Sequence, residues 1–209
     1  MLKLYFIRHG ETLSNTWDTL QGWSDTPLTT NGINQGRWLG IGLKDVDFLK
    51  IYTSTSERAY DTACFVRVNN DTEIIMCKGL KELNFGMLET RANVFEGCET
   101  YEERVLYEWD KVGGENIHMV FDRIKKTIYD ILKENEGKQG NIACVSHGIS
   151  ILNAVKVASE EEYEKWFKVQ GFKNCSVTIL SYENNELKVE EVNNTEYVEK
   201  GKIYEETNK

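Results

Sequence analysis

Residues Leu2 to Ile7 form an apolar run the length of one buried strand, and Arg8, His9 and Gly10 end it abruptly. Thr12 then reads as the N-cap of a following helix. A cation, an imidazole and a glycine at the carboxyl end of a buried strand make an exposed polar cluster on a rigid base. In open α/β sheets, ligands bind at that edge. The pattern recurs late in the chain, where the apolar run Asn141 to Val145 leads into Ser146-His147-Gly148. The chain has only three histidines, and two of them, His9 and His147, occupy this strand–His–Gly setting. The third, His118, opens a helix with no partner motif and reads as solvated.

The remaining pattern is that of an α/β domain. Thr29 or Thr30 caps a helix whose apolar face uses Ile33, Trp38, Leu39 and Ile41. Phe48 to Tyr52 reads as a strand. The hydroxyls Thr53 to Ser56 mark a strand-to-helix junction, and a helix carries Arg58, Ala59, Thr62, Ala63 and Val66. Thr72 to Met76 is a third short strand, followed by the mixed segment Leu80 to Gly86. From about 90 to 112 the chain is rich in Glu and aromatics, which predicts one or two surface helices leaning over an edge of the sheet. A helix from Asn116 to Asn135 places Val120, Ile124, Ile128 and Ile131 at helical spacing. Next come a strand at Ile142 to Val145, a helix at Ile149 to Val157 and an acidic helix at Glu160 to Phe167. Val177 to Tyr182 and Glu186 to Val192 alternate around Glu183-Asn184-Asn185 as a hairpin. The polar tail beyond Asn193 carries no readable pattern, and no element is assigned to it. Without repeats or a linker, residues 1–209 read as a single domain.

Composition narrows the function classes. A net charge of −9 argues against a nucleic-acid partner. It also repels phosphorylated molecules at long range, so an anion site must be a local cluster of arginines. The five cysteines are odd in number and form no Cys-x-x-Cys pair, a pattern of reduced thiols in a cytoplasmic protein and not of a disulfide framework or zinc site. Cys144, inside an apolar run, reads as core. No segment has membrane-spanning length, and Met1 to Ile7 is too short for a signal sequence, so no membrane partner is expected. A homodimer is compatible with the sequence, which leaves the oligomeric state open.

Four polar groups follow four strands: Arg8-His9, Arg58 with Ser54, Glu82, and His147. Two arginines, two histidines, an asparagine and one carboxylate, without metal-ligand spacing, suit a phosphoryl group. Guanidinium forks bind phosphate oxygens and stay charged. Donors around the equatorial oxygens supply the charge stabilisation that phosphoryl transfer needs, without metal or cofactor. A neutral imidazole can attack phosphorus, and a carboxylic acid can protonate the leaving oxygen.

Arg8-His9-Gly10-Glu11-Thr12-x-x-Asn15 resembles the signature of the histidine phosphatase superfamily, the phosphoglycerate mutase-like family. The resemblance continues in Leu20-Gln21-Gly22-Trp23-x-Asp25-x-Pro27, in Ser54-x-x-x-Arg58-Ala59-x-x-Thr62, in Leu80-x-Glu82-x-x-Phe85-Gly86 and in Val145-Ser146-His147-Gly148. It implies a three-layer α/β/α sandwich whose sheet is mainly parallel with an antiparallel strand near the C-terminus. It implies that His9 is the phosphorylated nucleophile. Arg8, Arg58 and His147 would form the phosphate pocket, with Gly148 beside it and Asn15 as a neutral donor. Glu82 would be proton donor and later base, and Gln21 and Gly22 would lie beside the substrate. Glu11, Glu89 and Glu115 are the competing carboxylates.

Two departures matter. Thr90 and Arg91 stand where the family often has glycine after Glu89, so the helical cap at about 90–115 begins differently. The family's cofactor-dependent mutases carry Glu-Arg-His-Tyr-Gly and a paired arginine; this chain has Glu82-Leu83-Asn84-Phe85-Gly86 and no Arg-Arg. The expectation is therefore a metal-independent phosphatase acting on a small phosphorylated metabolite, a sugar phosphate or phosphoglycerate. A phosphoglycerate mutase and an inactive phospho-ligand binding module are the alternatives. Tyr101, Tyr107 and Trp109 are expected to pack, with a substrate-capping role held open.

Overall fold

In a computed structural model, which describes residues 1–68, 71–95, 98–169 and 171–208, the N-terminal run is strand β1 (Leu2–Arg8). Thr12 caps the short helix α1 (Leu13–Trp17) in a reciprocal capping box with Asn15. Of the two candidate caps of α2 (Thr30–Gly42), Thr29 is used, its hydroxyl accepting from the Gly32 amide. Strand β2 (Phe48–Thr53), helix α3 (Glu57–Val66) and strand β3 (Ile74–Met76) follow. After α4 (Tyr101–Leu106), the long amphipathic helix α5 (Ile117–Glu134) begins at Asn116, whose side chain caps it. Then come β4 (Gly140–Ser146), α6 (Gly148–Ala158) and α7 (Glu160–Phe167). Strands β5 (Val177–Glu183) and β6 (Glu186–Asn194) form the expected hairpin, turned by Asn184 and Asn185, both at positive φ.

These strands make a six-stranded sheet in the order β3-β2-β4-β1-β5-β6. The four central and edge strands β3, β2, β4 and β1 run parallel, while β5 pairs antiparallel with β1 and with β6. Alternation along the strands sorts the core into two layers. Leu4 and Phe6 of β1, with Ile142 and Cys144 of β4, pack against α5, α6 and α7 on one face. Tyr5 and Ile7, with Ala143 and Val145, pack against α2, α3 and the C-terminal segment on the other. This is an α/β/α sandwich in which β1 and β4, side by side, end at the same edge.

One expectation is corrected. The tail is not unstructured: Glu196–Thr207 forms helix α8, docked on α2. The docking depends on close backbone approach and not on an apolar stripe. A Cβ on Gly201 would lie 1.8 Å from the Trp38 carbonyl oxygen, and one on Gly42 would lie 1.9 Å from that of Tyr197. Glu205 adds bonds to Arg37 and to the Trp38 indole. The 90–112 segment carries the expected short helices, and Trp109 packs as expected. Trp109 is fully buried, edge-on to Phe85 at 4.8 Å and beside Tyr107 at 4.4 Å, so it belongs to the core.

Candidate active site

His9 is the residue at which β1 leaves the sheet. Its amide donates to the Ser146 carbonyl of β4, and its own carbonyl accepts from the Cys175 amide and the Asn174 side chain. The loop beyond it lies against the start of α2 without intervening side chains. A Cβ on Gly32 would meet the Glu11 carbonyl oxygen at 2.0 Å, and one on Gly10 would meet that of Gly32 at 2.7 Å. The imidazole is 3 % exposed. Its Nδ1 is 2.7 Å from the Gly10 carbonyl oxygen. A carbonyl only accepts, so Nδ1 carries the proton and Nε2 keeps its lone pair. Burial, then the positive charges of Arg58 and Arg8, hold the His9 pKa well below the usual histidine value; the Gly10 bond opposes them and loses. At neutral pH the ring is an uncharged base.

His147 follows β4 as His9 follows β1, and the two ring centroids are 5.2 Å apart. Arg58, from the first turn of α3, reaches the His147 ring. Its Nη2 donates to His147 Nδ1 at 3.0 Å, so the His147 proton sits on Nε2, which is 2.8 Å from Ser54 Oγ. The same guanidinium donates to the carbonyls of Gly22 and Ser24 and pairs with Asp25 at 2.8 Å. Burial works against its charge, and Asp25 is the largest effect opposing it. Burial and Arg58 also hold His147 well below the ordinary histidine pKa.

Arg8 is fastened from a segment that sequence reasoning missed. Its guanidinium donates to the Phe172 carbonyl, in the loop that leads into β5. In that loop Asn174 donates to the Asn15 Oδ1, which also accepts from the Thr12 amide. With its oxygen held twice, the Asn15 amide presents NH2 as its remaining group. Gln21 is fixed likewise, accepting from Thr12 Oγ1 and donating to Thr26.

Glu82 sits at the start of α6. Its carboxylate accepts from the amides of Leu83, Ile149 and Ser150 at 3.0–3.1 Å. Arg123 of α5 holds the segment beneath it, donating to the carbonyls of Gly79, Lys81 and Glu82 while paired with Glu115. The competing carboxylates are spoken for. Glu89 accepts from the amides of Gly22, Trp23, Ser24 and Phe85. Glu115 faces Arg123, and Glu11 accepts from Thr29 and Asn31.

A cavity of about 190 Å³ opens over these groups. Arg8, His9, Asn15, Gln21, Glu82 and Gly148 line it. Arg58, His147 and Gly22 do not: Arg58 and His147 are fully buried, and Gly22 is pressed against Leu83 and Glu89. Tyr101, for which the sequence holds a capping role open, completes a wall with Arg104 of α4, which no motif announced. Among the described residues no cluster of His, Cys, Asp and Glu is placed to hold a metal ion. No described helix is long and apolar enough to cross a membrane. The donor set of guanidiniums, a neutral imidazole and amides suits a tetrahedral anion.

Comparison with known proteins agrees in kind. Residues 4–195 match the histidine phosphatase superfamily (branch 1). The chain is 30% identical to a probable phosphoglycerate mutase, GpmB, of Escherichia fergusonii over 193 residues, 89% of this chain and 87% of the relative. Among solved structures it resembles a phosphoglycerate mutase from Bacillus anthracis (TM-score 0.84, 30% identity, 96% of each chain). It also resembles a phosphoserine phosphatase from Entamoeba histolytica in complex with 3-phosphoglyceric acid (TM-score 0.78, 28% identity, 95% of this chain and 100% of that one).

Proposed function

This chain belongs to branch 1 of the histidine phosphatase superfamily, and on that premise we propose that it is a metal-independent phosphomonoesterase working through a phosphohistidine on His9. The observation that carries the reading is the buried, uncharged His9 ring, proton fixed on Nδ1, at the floor of a cavity shared with Arg8, Asn15 and Glu82. In the first step Nε2 attacks phosphorus. The P–O ester bond breaks, and the departing oxygen takes a proton from Glu82. The step uses Glu82 in its protonated form and leaves it as the carboxylate. In the second step Glu82 takes a proton from water, the water oxygen attacks phosphorus, and the P–N bond breaks to restore His9. Arg8 and the Asn15 NH2 group bind the equatorial oxygens. Arg58 keeps the surroundings positive, and by donating to His147 Nδ1 it occupies the lone pair of that neutral ring, so His147 offers no competing base. The cavity is smaller than the roughly 300–1,000 Å³ usual for ligand sites, which favours a small substrate.

The test is hydrolysis of an aryl phosphate by chelator-treated protein, with His9→Ala as control. Activity that disappears with chelator contradicts the metal-free mechanism. A mutase is the second reading, favoured by the 30% identity to proteins described as phosphoglycerate mutases. It predicts interconversion of 2- and 3-phosphoglycerate faster than phosphate release. Tight vanadate binding without turnover of any phosphoester would instead indicate a binding module.

A further inference from the structure

An acid that becomes a base works in two protonation states and must stand in the same place in both. The Glu82 carboxylate is held by the amides of Leu83, Ile149 and Ser150. Such bonds are strongest to the charged form and weaken when the group carries its proton. A second anchor, indifferent to that proton, is needed for the backbone from which Glu82 reaches the cavity. That backbone has no ladder of its own. Residues 81–85 lie outside every helix and strand, after a single tight turn at Lys78–Leu80.

Arg123 supplies the anchor from α5, and all five of its N–H groups are engaged. Nη1 donates to the carbonyls of Gly79 and Lys81 at 2.9 and 2.7 Å, and Nη2 donates to that of Glu82 at 3.1 Å. Nε and Nη2 each reach one oxygen of Glu115 at 2.8 Å, a two-point pair. Glu115 in turn accepts the Asn84 amide and donates its own amide to the Asn84 carbonyl. The guanidinium thus ties the chain on both sides of Glu82, from Gly79 to Asn84. One turn along α5, Thr127 lies against the same backbone, where a Cβ on Gly79 would meet its Oγ1 at 2.0 Å. A lysine could not replace this planar fork, because one ammonium nitrogen cannot reach acceptors on both sides.

We propose that Arg123 is a positioning residue for the acid and base step: it fixes the backbone of Glu82, and through it the approach of the carboxyl group to the leaving oxygen. The assignment of Glu82 as that acid rests on the phosphatase reading above. The bonds from Arg123 run to carbonyls and to a different carboxylate, so they persist when Glu82 gains or loses its proton. Small misplacements of a reacting group carry large rate penalties, which gives this anchor a kinetic signature.

The test uses Arg123→Lys, which keeps the charge and loses the fork, together with Glu82→Gln and the double variant. Phosphoenzyme formation is timed with glycerol 3-phosphate, whose leaving oxygen needs a proton, and with p-nitrophenyl phosphate, whose leaving oxygen does not. Arg123→Lys should slow the alkyl ester by about tenfold to a hundredfold and the aryl ester by less than about threefold. In the Glu82→Gln background it should cost nothing further on either ester. Equal losses on the two esters, or a full further loss beside Glu82→Gln, overturn the proposal and leave the phosphatase reading standing. Glu82→Gln without a leaving-group preference removes the acid role, and the proposal with it. Amide hydrogen exchange gives a readout that needs no turnover. The Ile149 and Ser150 amides should exchange about tenfold faster or more in Arg123→Lys, while those of Phe6 and Cys144 in the central strands stay as in the wild type. If either ester fails to react, exchange alone decides, and unchanged Ile149 and Ser150 amides overturn the proposal. Should Arg123→Lys not fold, Glu115→Gln takes its place and should show the same pattern at smaller size.

Discussion

The Nδ1 nitrogen of His9 lies 2.7 Å from the carbonyl oxygen of Gly10, its own neighbour in the chain. This contact fixes the tautomer from within the motif, because the glycine that follows the histidine supplies the acceptor. The lone pair is thereby directed out of Nε2, toward the cavity and away from the backbone. Burial and two guanidiniums keep the ring unprotonated, so the positive surroundings that would hold a phosphoryl group also keep its attacking atom free.

The same electrostatics set a pH dependence of stability. His9 and His147 both have folded-state pKa values well below the ordinary 6.5. Below about pH 6.5 the unfolded chain binds protons that the folded chain does not, so stability falls as pH falls and is fully present above that value. The slope is about 1.4 kcal/mol per pH unit for each histidine until its folded pKa is reached. Urea unfolding between pH 7.5 and 5 should show this loss, and His147→Gln should reduce its slope. Equal slopes in both proteins would contradict the assignment.

Glu82→Gln should lower kcat by about a hundredfold to ten-thousandfold on an alkyl phosphate. The loss should be much smaller on p-nitrophenyl phosphate in the first step, where the leaving group needs no proton. Equal losses of the rate of phosphoenzyme formation on the two esters would show that Glu82 is not the acid.

Glu89, by contrast, is expected to act on structure. It accepts the amides of Gly22, Trp23, Ser24 and Phe85, tying the loop that cradles Arg58 to the segment that carries Glu82. Glu89→Ala leaves those donors without their charged partner and should cost about 2–3 kcal/mol in urea unfolding. A stability within about 0.5 kcal/mol of the wild type would refute that role.

Gly201→Ala reverses the usual sign. In an exposed helix this change stabilises by roughly 0.5–1 kcal/mol. Here the new methyl meets the Trp38 carbonyl oxygen, and forcing α8 away from α2 should cost about 1–3 kcal/mol. Thermal unfolding decides between the two directions.

What could be read in the sequence is what local chemistry encodes. Strand β1 and its Arg8-His9-Gly10 ending, strand β4 with His147, the cap at Thr12 and the Asn184-Asn185 turn each advertise themselves by period or by residue type. The rest depends on tertiary contact. Helix α8 lacks a strong apolar stripe, because Gly201 and Gly42 let backbone meet backbone and no side-chain period records that. Asn174 and Phe172 act through an amide and a carbonyl from an irregular loop, which no motif marks. Arg58 was legible as a site residue, but its buried place outside the cavity lining follows from Asp25, Gly22 and Ser24, whose approach only the folded loop defines. The sequence singles out Tyr101 with its role left open and does not mark Arg104 at all, because the aromatics of that segment divide between core, as Trp109 does, and cavity wall.

The most direct test of the account is to find the transferred phosphoryl group. Protein mixed with excess phosphoester, quenched in alkali and digested, should yield a phosphopeptide containing His9 with phosphorus on Nε2, as read by mass spectrometry and 31P NMR. Phosphorus on Nδ1, on His147, or nowhere while the ester is being consumed would contradict it.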